Sequence, residues 1–327
     1  MADNKVLVTC ATGKAGFECC KALVDAGFDV HGTTRNAKGA KKLADICVKP
    51  VMCDYTCEIP KALAESGAKR LLFITDFFKA AKQKAQVEFE HGKHAVDAAK
   101  AAGVAHTIFI SVNDAGKWPT ECDHLLAKPR VEEYCKASGI PYSLLGPVAF
   151  FENFDDPANF NPLVKGKLYF LMEEPAPFCA TYDVGRAASV QFKHPERWLG
   201  KKLDVCGHVA DLKTCAAALE KVGGFPVKSG LAMPIWARKL FLRDLHYMCL
   251  HYVSPGASAT PAEFKKHVPD AMDAEAWFRH HNRYANGEPI VGNTKPPSKG
   301  TGAAIALAVT VAVASSLAYY MYAMARR

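Results

Sequence analysis

KVLVTCATGKAG, residues 5–16, decides the fold. Its first five residues, Lys5-Val-Leu-Val-Thr9, hold a short apolar run, as in a strand buried on both faces. The next stretch, KAGFECCKALVDA over 14–26, repeats its apolar residues at helical spacing, and Gly27 follows as a stop. Between them a tight turn carries Gly13 and Gly16, with Cys10 at the position of a first glycine. Such a strand–turn–helix aims the free amides of a helix start at whatever anion occupies the turn.

The rhythm continues outward. Strands are expected at Phe28–Thr33, Val48–Cys53, Arg70–Ile74, Ala105–Ser111 and Tyr142–Leu145. Helices are expected at 38–45, 57–66, 81–102 and 123–138. Strands alternating with helices imply right-handed crossovers and an α/β, doubly wound parallel sheet. Ligands of such sheets lie beyond the carboxyl ends of the strands. From about 147 the chain breaks into shorter, proline-rich pieces with helices near 183–193, 211–222, 234–250 and 273–284. The expected division is a dinucleotide-binding domain over 1–150 and a smaller lobe over 151–285.

Residues 286–302, NGEPIVGNTKPPSKGTG, read as a linker. Residues 303–325, AAIALAVTVAVASSLAYYMYAMA, carry no charge. As a helix they would extend about 35 Å, enough for a bilayer core of roughly 30 Å. Tyr319, Tyr320 and Tyr322 fit an interfacial belt, with Arg326 and Arg327 beyond. The expectation is a tail-anchored protein with a C-terminal transmembrane helix and its body in the cytosol. The endoplasmic reticulum, mitochondrial outer and peroxisomal membranes all suit it.

Composition narrows the classes. The 327 residues are half hydrophobic and carry a net charge of +8, with the basic residues scattered, so no nucleic-acid partner is expected. None of the 12 cysteines forms C-x-x-C and no secretory leader is read, which fits reduced thiols. His246, His251, His280 and His281 lack a cysteine or carboxylate set, so no metal site is expected.

The candidate site residues follow the strand ends. Gly13 would let backbone approach a pyrophosphate, Gly16 would let the helix pack close to the sheet, and helix amides from about Lys14 onward would face the anion, unless this is an ordinary tight turn. Arg35 ends the second strand where an NAD site places an acid, so it suits the extra phosphate of NADP(H), or is a solvated arginine. Asp54 either accepts from an adenine amino group or forms a turn. His124 and Lys128, four apart on the expected helix, would share a face toward the cleft. Lys128 would bind ribose hydroxyls, and His124 exchange a proton or lie at the surface. Ser111 either joins them or caps a loop.

These segments together resemble the NmrA-like branch of the atypical short-chain dehydrogenase/reductases. The likeness rests on VTCATGKAG (8–16), Arg35, GKHAVDAAKAAGVAHTIFISV (92–112), HLLAKPRVEEYCKASGIPYSLLGP (124–147), FFENF (150–154) and YDVGRAA (182–188). The resemblance implies a Rossmann fold holding NADP(H), lined by Thr12, Gly13, Gly16, Arg35, Lys128 and Asn153. Two positions depart from the pattern: Cys10 replaces a glycine, and the catalytic Y-x-x-x-K of the wider superfamily reads H-x-x-x-K at His124–Lys128. The resemblance therefore implies two classes. One is an NADPH-dependent reductase of a small carbonyl, quinone or enone, with Phe150, Phe151, Phe154 and Phe160 as apolar cleft lining. The other is a redox-sensing regulator that binds a protein partner.

Overall fold

The computed structural model describes residues 4–155 and 166–280. The predicted span at 303–325, Phe160 and His281 lie outside them. No helix among the described residues is long and apolar enough to cross a membrane.

The first half alternates as its sequence requires. In order come β1 (Lys5–Val8), α1 (Lys14–Asp25), β2 (Asp29–Thr34), α2 (Ala37–Ala44), β3 (Lys49–Met52) and α3 (Ile59–Ser66). Then come β4 (Arg70–Phe73), α4 (Ala85–Ala101), β5 (His106–Ile110), α5 (Ala127–Ser138) and β6 (Tyr142–Pro147). The second half holds β7 (Ala149–Phe150), β8 (Lys167–Phe170), β9 (Ala176–Cys179), α6 (Thr181–Lys193), α7 (Pro195–Trp198), β10 (Lys202–Val205) and β11 (His208–Ala210). It closes with α8 (Leu212–Gly223), β12 (Lys228–Leu231), α9 (Ile235–Phe241), α10 (Arg243–Val253), α11 (Pro261–Lys265) and α12 (Ala274–His280).

Seven parallel strands form the main sheet in the order β10-β6-β5-β4-β1-β2-β3. The order reverses between β1 and β4, the switch point where doubly wound sheets bind ligands. Successive residues of β1 show why the run is wholly apolar. Val6 and Val8 enter one core with Cys19, Leu23 and Val184, while Leu7 enters the other with Leu63, Val96 and Val131. Full burial of each such side chain contributes about 2 kcal/mol.

The chain past 150 does not leave this layer as the expected division has it. β10 joins the main sheet beside β6, with Leu203 opposite Leu145. α6 lies against α1 so closely that a Cβ on Gly185 would meet Cys19 Cα at 2.6 Å. β10 carries no signal of its own, because it is only four residues long and pairs with a strand far away in sequence. Smaller sheets, β11-β9-β7 and β12-β8, complete the described residues. The aromatic residues of FFENF sit in this packing. Phe151 and Phe154 are fully buried, with ring centroids 5.3 and 5.2 Å from Phe178. They form core, not the expected cleft lining.

Candidate functional site

The turn after β1 is held from both sides. Thr9 N–H donates to Leu72 O at 3.0 Å, and Thr9 Oγ1 accepts from Ile74 N at 3.0 Å. Cys10 then adopts φ 51°, the left-handed region that favours glycine. The cysteine thus occupies a glycine conformation, at a cost of about 1–2 kcal/mol. Burial pushes its thiol up to about 12, so it is no thiolate at neutral pH. Gly16 admits no side chain, because a Cβ there would lie 2.2 Å from Cys10 O.

α1 opens at Gly13 with no side-chain cap and no acid in its first turn. Gly13 and Lys14 are exposed and Thr12 is half-buried. Lys14 Nζ reaches Glu152 O at 3.4 Å, bringing the FFENF segment, with half-buried Asn153, to the helix start. Glu152 is itself pinned, its carboxylate accepting from Thr181 N and Trp277 Nε1 at 3.1 and 3.0 Å.

Arg35 follows β2 and is exposed. Its charge acts on Cys10, Asp54 and Tyr55, which places it on the same side of the turn. Asp54 accepts from Thr56 N and Oγ1 at 3.0 and 2.7 Å, forming the turn offered as its alternative reading. Burial raises that carboxyl, but the Thr56 hydrogen bonds and Arg35 outweigh it and hold it below its ordinary value. Together these residues suit a dinucleotide carrying an extra phosphate. The uncapped start of α1, with Lys14, follows β1, and an exposed guanidinium stands where the second strand ends.

The expected helix over 123–138 is interrupted, and this separates two residues predicted to act together. Asp123–Leu125 is a 3-10 turn, and α5 begins only at Ala127. His124 Nδ1 bonds Asp244 of α10, whose second oxygen accepts from His124 N–H at 3.2 Å. Phe77 and Phe78 flank the ring at 6.4 and 5.8 Å. Lys128 instead donates to Thr75 Oγ1 and Glu88 Oε1, at 2.7 and 2.8 Å. Ser111 is buried, and its hydroxyl has no hydrogen-bond partner among the described residues. A hydrogen-bonded Ser111–His124–Lys128 trio is therefore not what the structure brings together.

Sequence reasoning missed Thr75, Glu88 and Asp244. Glu88 is fully buried in the first turn of α4, and Thr75 Oγ1 donates to it at 2.7 Å. His91, one turn on, has a half-buried ring whose Nδ1 has no hydrogen-bond partner among the described residues. Burial lowers its pKa, partly offset by Asp54 and Glu88. The loop after β5 is tied to α10 and to the chain following it. Trp118 packs on His251 at 4.3 Å, and Asp114 accepts from Ser258 N at 2.7 Å.

Comparison with known proteins agrees with this architecture. A family model described as the NmrA-like family matches residues 2–236. Over 167 residues the chain is 29% identical to an NmrA-like family domain-containing oxidoreductase of Penicillium ochrochloron, covering 47% of this chain and 50% of that protein. It is 28% identical over 174 residues to the chloroplastic protein TIC 62 of Pisum sativum, covering 44% of this chain and 32% of the other. The chain thus spans half or less of the curated relatives it matches. Among solved structures, the negative transcriptional regulator NmrA in complex with NADP superposes with a TM-score of 0.67 at 20% identity, covering 88% and 98% of the two chains. Triphenylmethane reductase of Citrobacter sp., complexed with NADP(H), gives 0.66 at 18%, covering 84% and 99%. These likenesses establish the Rossmann-type fold.

Proposed function

The chain belongs to the NmrA-like family, and on that premise we propose that it binds NADP(H) and reduces a small carbonyl, quinone or enone. The amides of the first turn of α1 and Lys14 would hold the pyrophosphate, with Thr12 and Asn153 beside it, and Arg35 would take the extra phosphate. When bound, the reduced nicotinamide supplies the hydride. The observation that carries the reductase reading is the His124–Asp244 pair. A carboxylate on Nδ1 fixes the orientation of the ring, leaving Nε2 to pass a proton to the substrate oxygen. A histidine so held replaces the missing tyrosine. Lys128, close to Glu88, orients the ribose hydroxyls.

The test is NADPH oxidation by the full chain in detergent against a panel of quinones, enones and aldehydes. Turnover lost in His124→Phe, with NADPH binding retained, supports the reading. No turnover across the panel overturns it.

One observation favours a second reading, an NADP(H)-sensing regulator. The Lys128 ammonium is already engaged by Glu88 and Thr75, and Ser111 does not join it. Binding of NADP(H) without turnover, together with capture of a protein partner by one redox form only, would establish it. We also propose that residues 303–325 tether the body to a membrane. Carbonate extraction of the full chain against one ending at Gly302 tests this; equal release of both overturns it.

A further inference from the structure

Helix α9, Ile235-Trp-Ala-Arg-Lys-Leu-Phe241, is packed inside out. Arg238 is its one buried residue. The guanidinium donates to Leu171 O, and its Nε donates to His246 Nδ1 at 3.3 Å. The large apolar residues face outward: Ile235 is 52% exposed, Trp236 62%, Leu240 68% and Phe241 53%. Trp236 and Leu240 are four apart and share a face, opposite Arg238 on the helical wheel. Because a charged residue anchors the inner side, the outer side is not core left open by chance.

A contiguous exposed apolar face of this kind marks a contact surface. Its charges indicate what it meets. From Lys228 to Arg243 the sequence KSGLAMPIWARKLFLR holds four cations and no acid. Lys239 lies within the exposed face, and exposed Arg243, which pairs with Glu121 at 3.7 Å, follows it. Tryptophan, leucine and phenylalanine bordered by lysine and arginine match the interfacial zone of an anionic bilayer.

We propose that α9 docks on an anionic lipid surface, with Trp236 and Leu240 at the acyl boundary and Lys239 and Arg243 against the headgroups. The choice of lipid over protein rests in part on the reading of residues 303–325 as a tether, which would hold the body within reach of a bilayer. α9 runs directly into α10, whose Asp244 holds His124, so docking surface and candidate site share one hairpin.

Trp236 is its own reporter. The other three tryptophans, Trp118, Trp198 and Trp277, are 8%, 6% and 1% exposed. The full chain is added to vesicles of phosphatidylcholine, with or without phosphatidylserine, carrying brominated acyl chains. The expected result is a blue shift and quenching on phosphatidylserine vesicles, absent in Trp236→Phe. Lys239→Gln/Arg243→Gln should lower the docking equilibrium about thirtyfold, with circular dichroism unchanged.

An inserted chain whose Trp236 stays open to acrylamide overturns docking and leaves the tether standing. Carbonate release with Trp236 still quenched at neutral pH overturns the tether and leaves docking standing. Equal quenching on neutral vesicles overturns the electrostatic part. Protection of Trp236 without lipid overturns the proposal in two ways. If it grows with protein concentration, the occupant is a second copy. If it disappears on deleting 303–327, the occupant is the chain's own segment.

Discussion

The Lys128 ammonium lies 2.8 Å from Glu88 Oε1, joining the start of α5 to a fully buried carboxylate on α4. The second oxygen, Oε2, has no hydrogen-bond partner among the described residues. Lys128→Met would leave that charge buried and uncompensated, at a cost of about 3–5 kcal/mol. Lys128→Met/Glu88→Leu should recover most of the loss in urea unfolding. Calorimetry should find NADPH binding weakened in both variants, because the ammonium is absent from both. Normal binding in the double variant would remove Lys128 from the cofactor site.

The His124–Asp244 pair predicts a positioning effect. Asp244→Asn should lower kcat about a hundredfold on any substrate the panel identifies. NADPH affinity should hold within about twofold, because Asp244 touches His124 and not the nucleotide positions. An unchanged kcat excludes His124 as the proton donor.

Arg35 should set coenzyme preference. In Arg35→Ala the preference for NADPH over NADH should fall about thirtyfold, the loss of about 2 kcal/mol of charge-assisted hydrogen bonding. NADH affinity should stay constant. A preserved ratio would place the extra phosphate elsewhere.

Acid stability carries a signature of His106. Burial, with Arg70 adding to it, lowers this histidine from 6.5 to about 4, and its Nε2 pairs with Ser143 Oγ at 2.7 Å. Between those pH values the unfolded chain binds a proton that the folded chain refuses. Stability is therefore fully present above 6.5 and declines as pH falls toward 4, by about 3 kcal/mol in all. His106→Asn should flatten that segment of the urea-midpoint profile. An identical slope in both proteins would assign the loss to other groups.

Cys10→Gly relieves a left-handed residue at φ 51°. The variant should gain about 1 kcal/mol, read as a higher urea midpoint. A lower midpoint would show that the thiol contact to Ile74 O, at 3.5 Å, outweighs the backbone cost.

The first half of this fold was legible because its signals are local. KVLV must be buried on both faces, and the spacing after Gly13 permits only a helix, so β1, α1 and the parallel sheet followed from a few residues each. Gly16 was legible for the same reason, since the turn itself brings Cys10 O to it. β10 was not, because four residues, KLDV, become a sheet strand only through pairing with β6, some 58 positions earlier. His124 and Lys128 misled for a related reason. Their spacing implies a shared face only if one helix runs through both, and a 3-10 turn intervenes.

What the sequence determined by itself was the alternating architecture and the residues at the strand ends, because periodicity and turn chemistry act between near neighbours. What only the tertiary structure decided was the partner of each charge: Glu88 for Lys128, Asp244 for His124, Leu171 O and His246 for Arg238. Those pairings span 40, 120, 67 and 8 positions and leave no periodic trace. Electrostatic partners are chosen by proximity after the core has closed, and the core closes on apolar pattern alone.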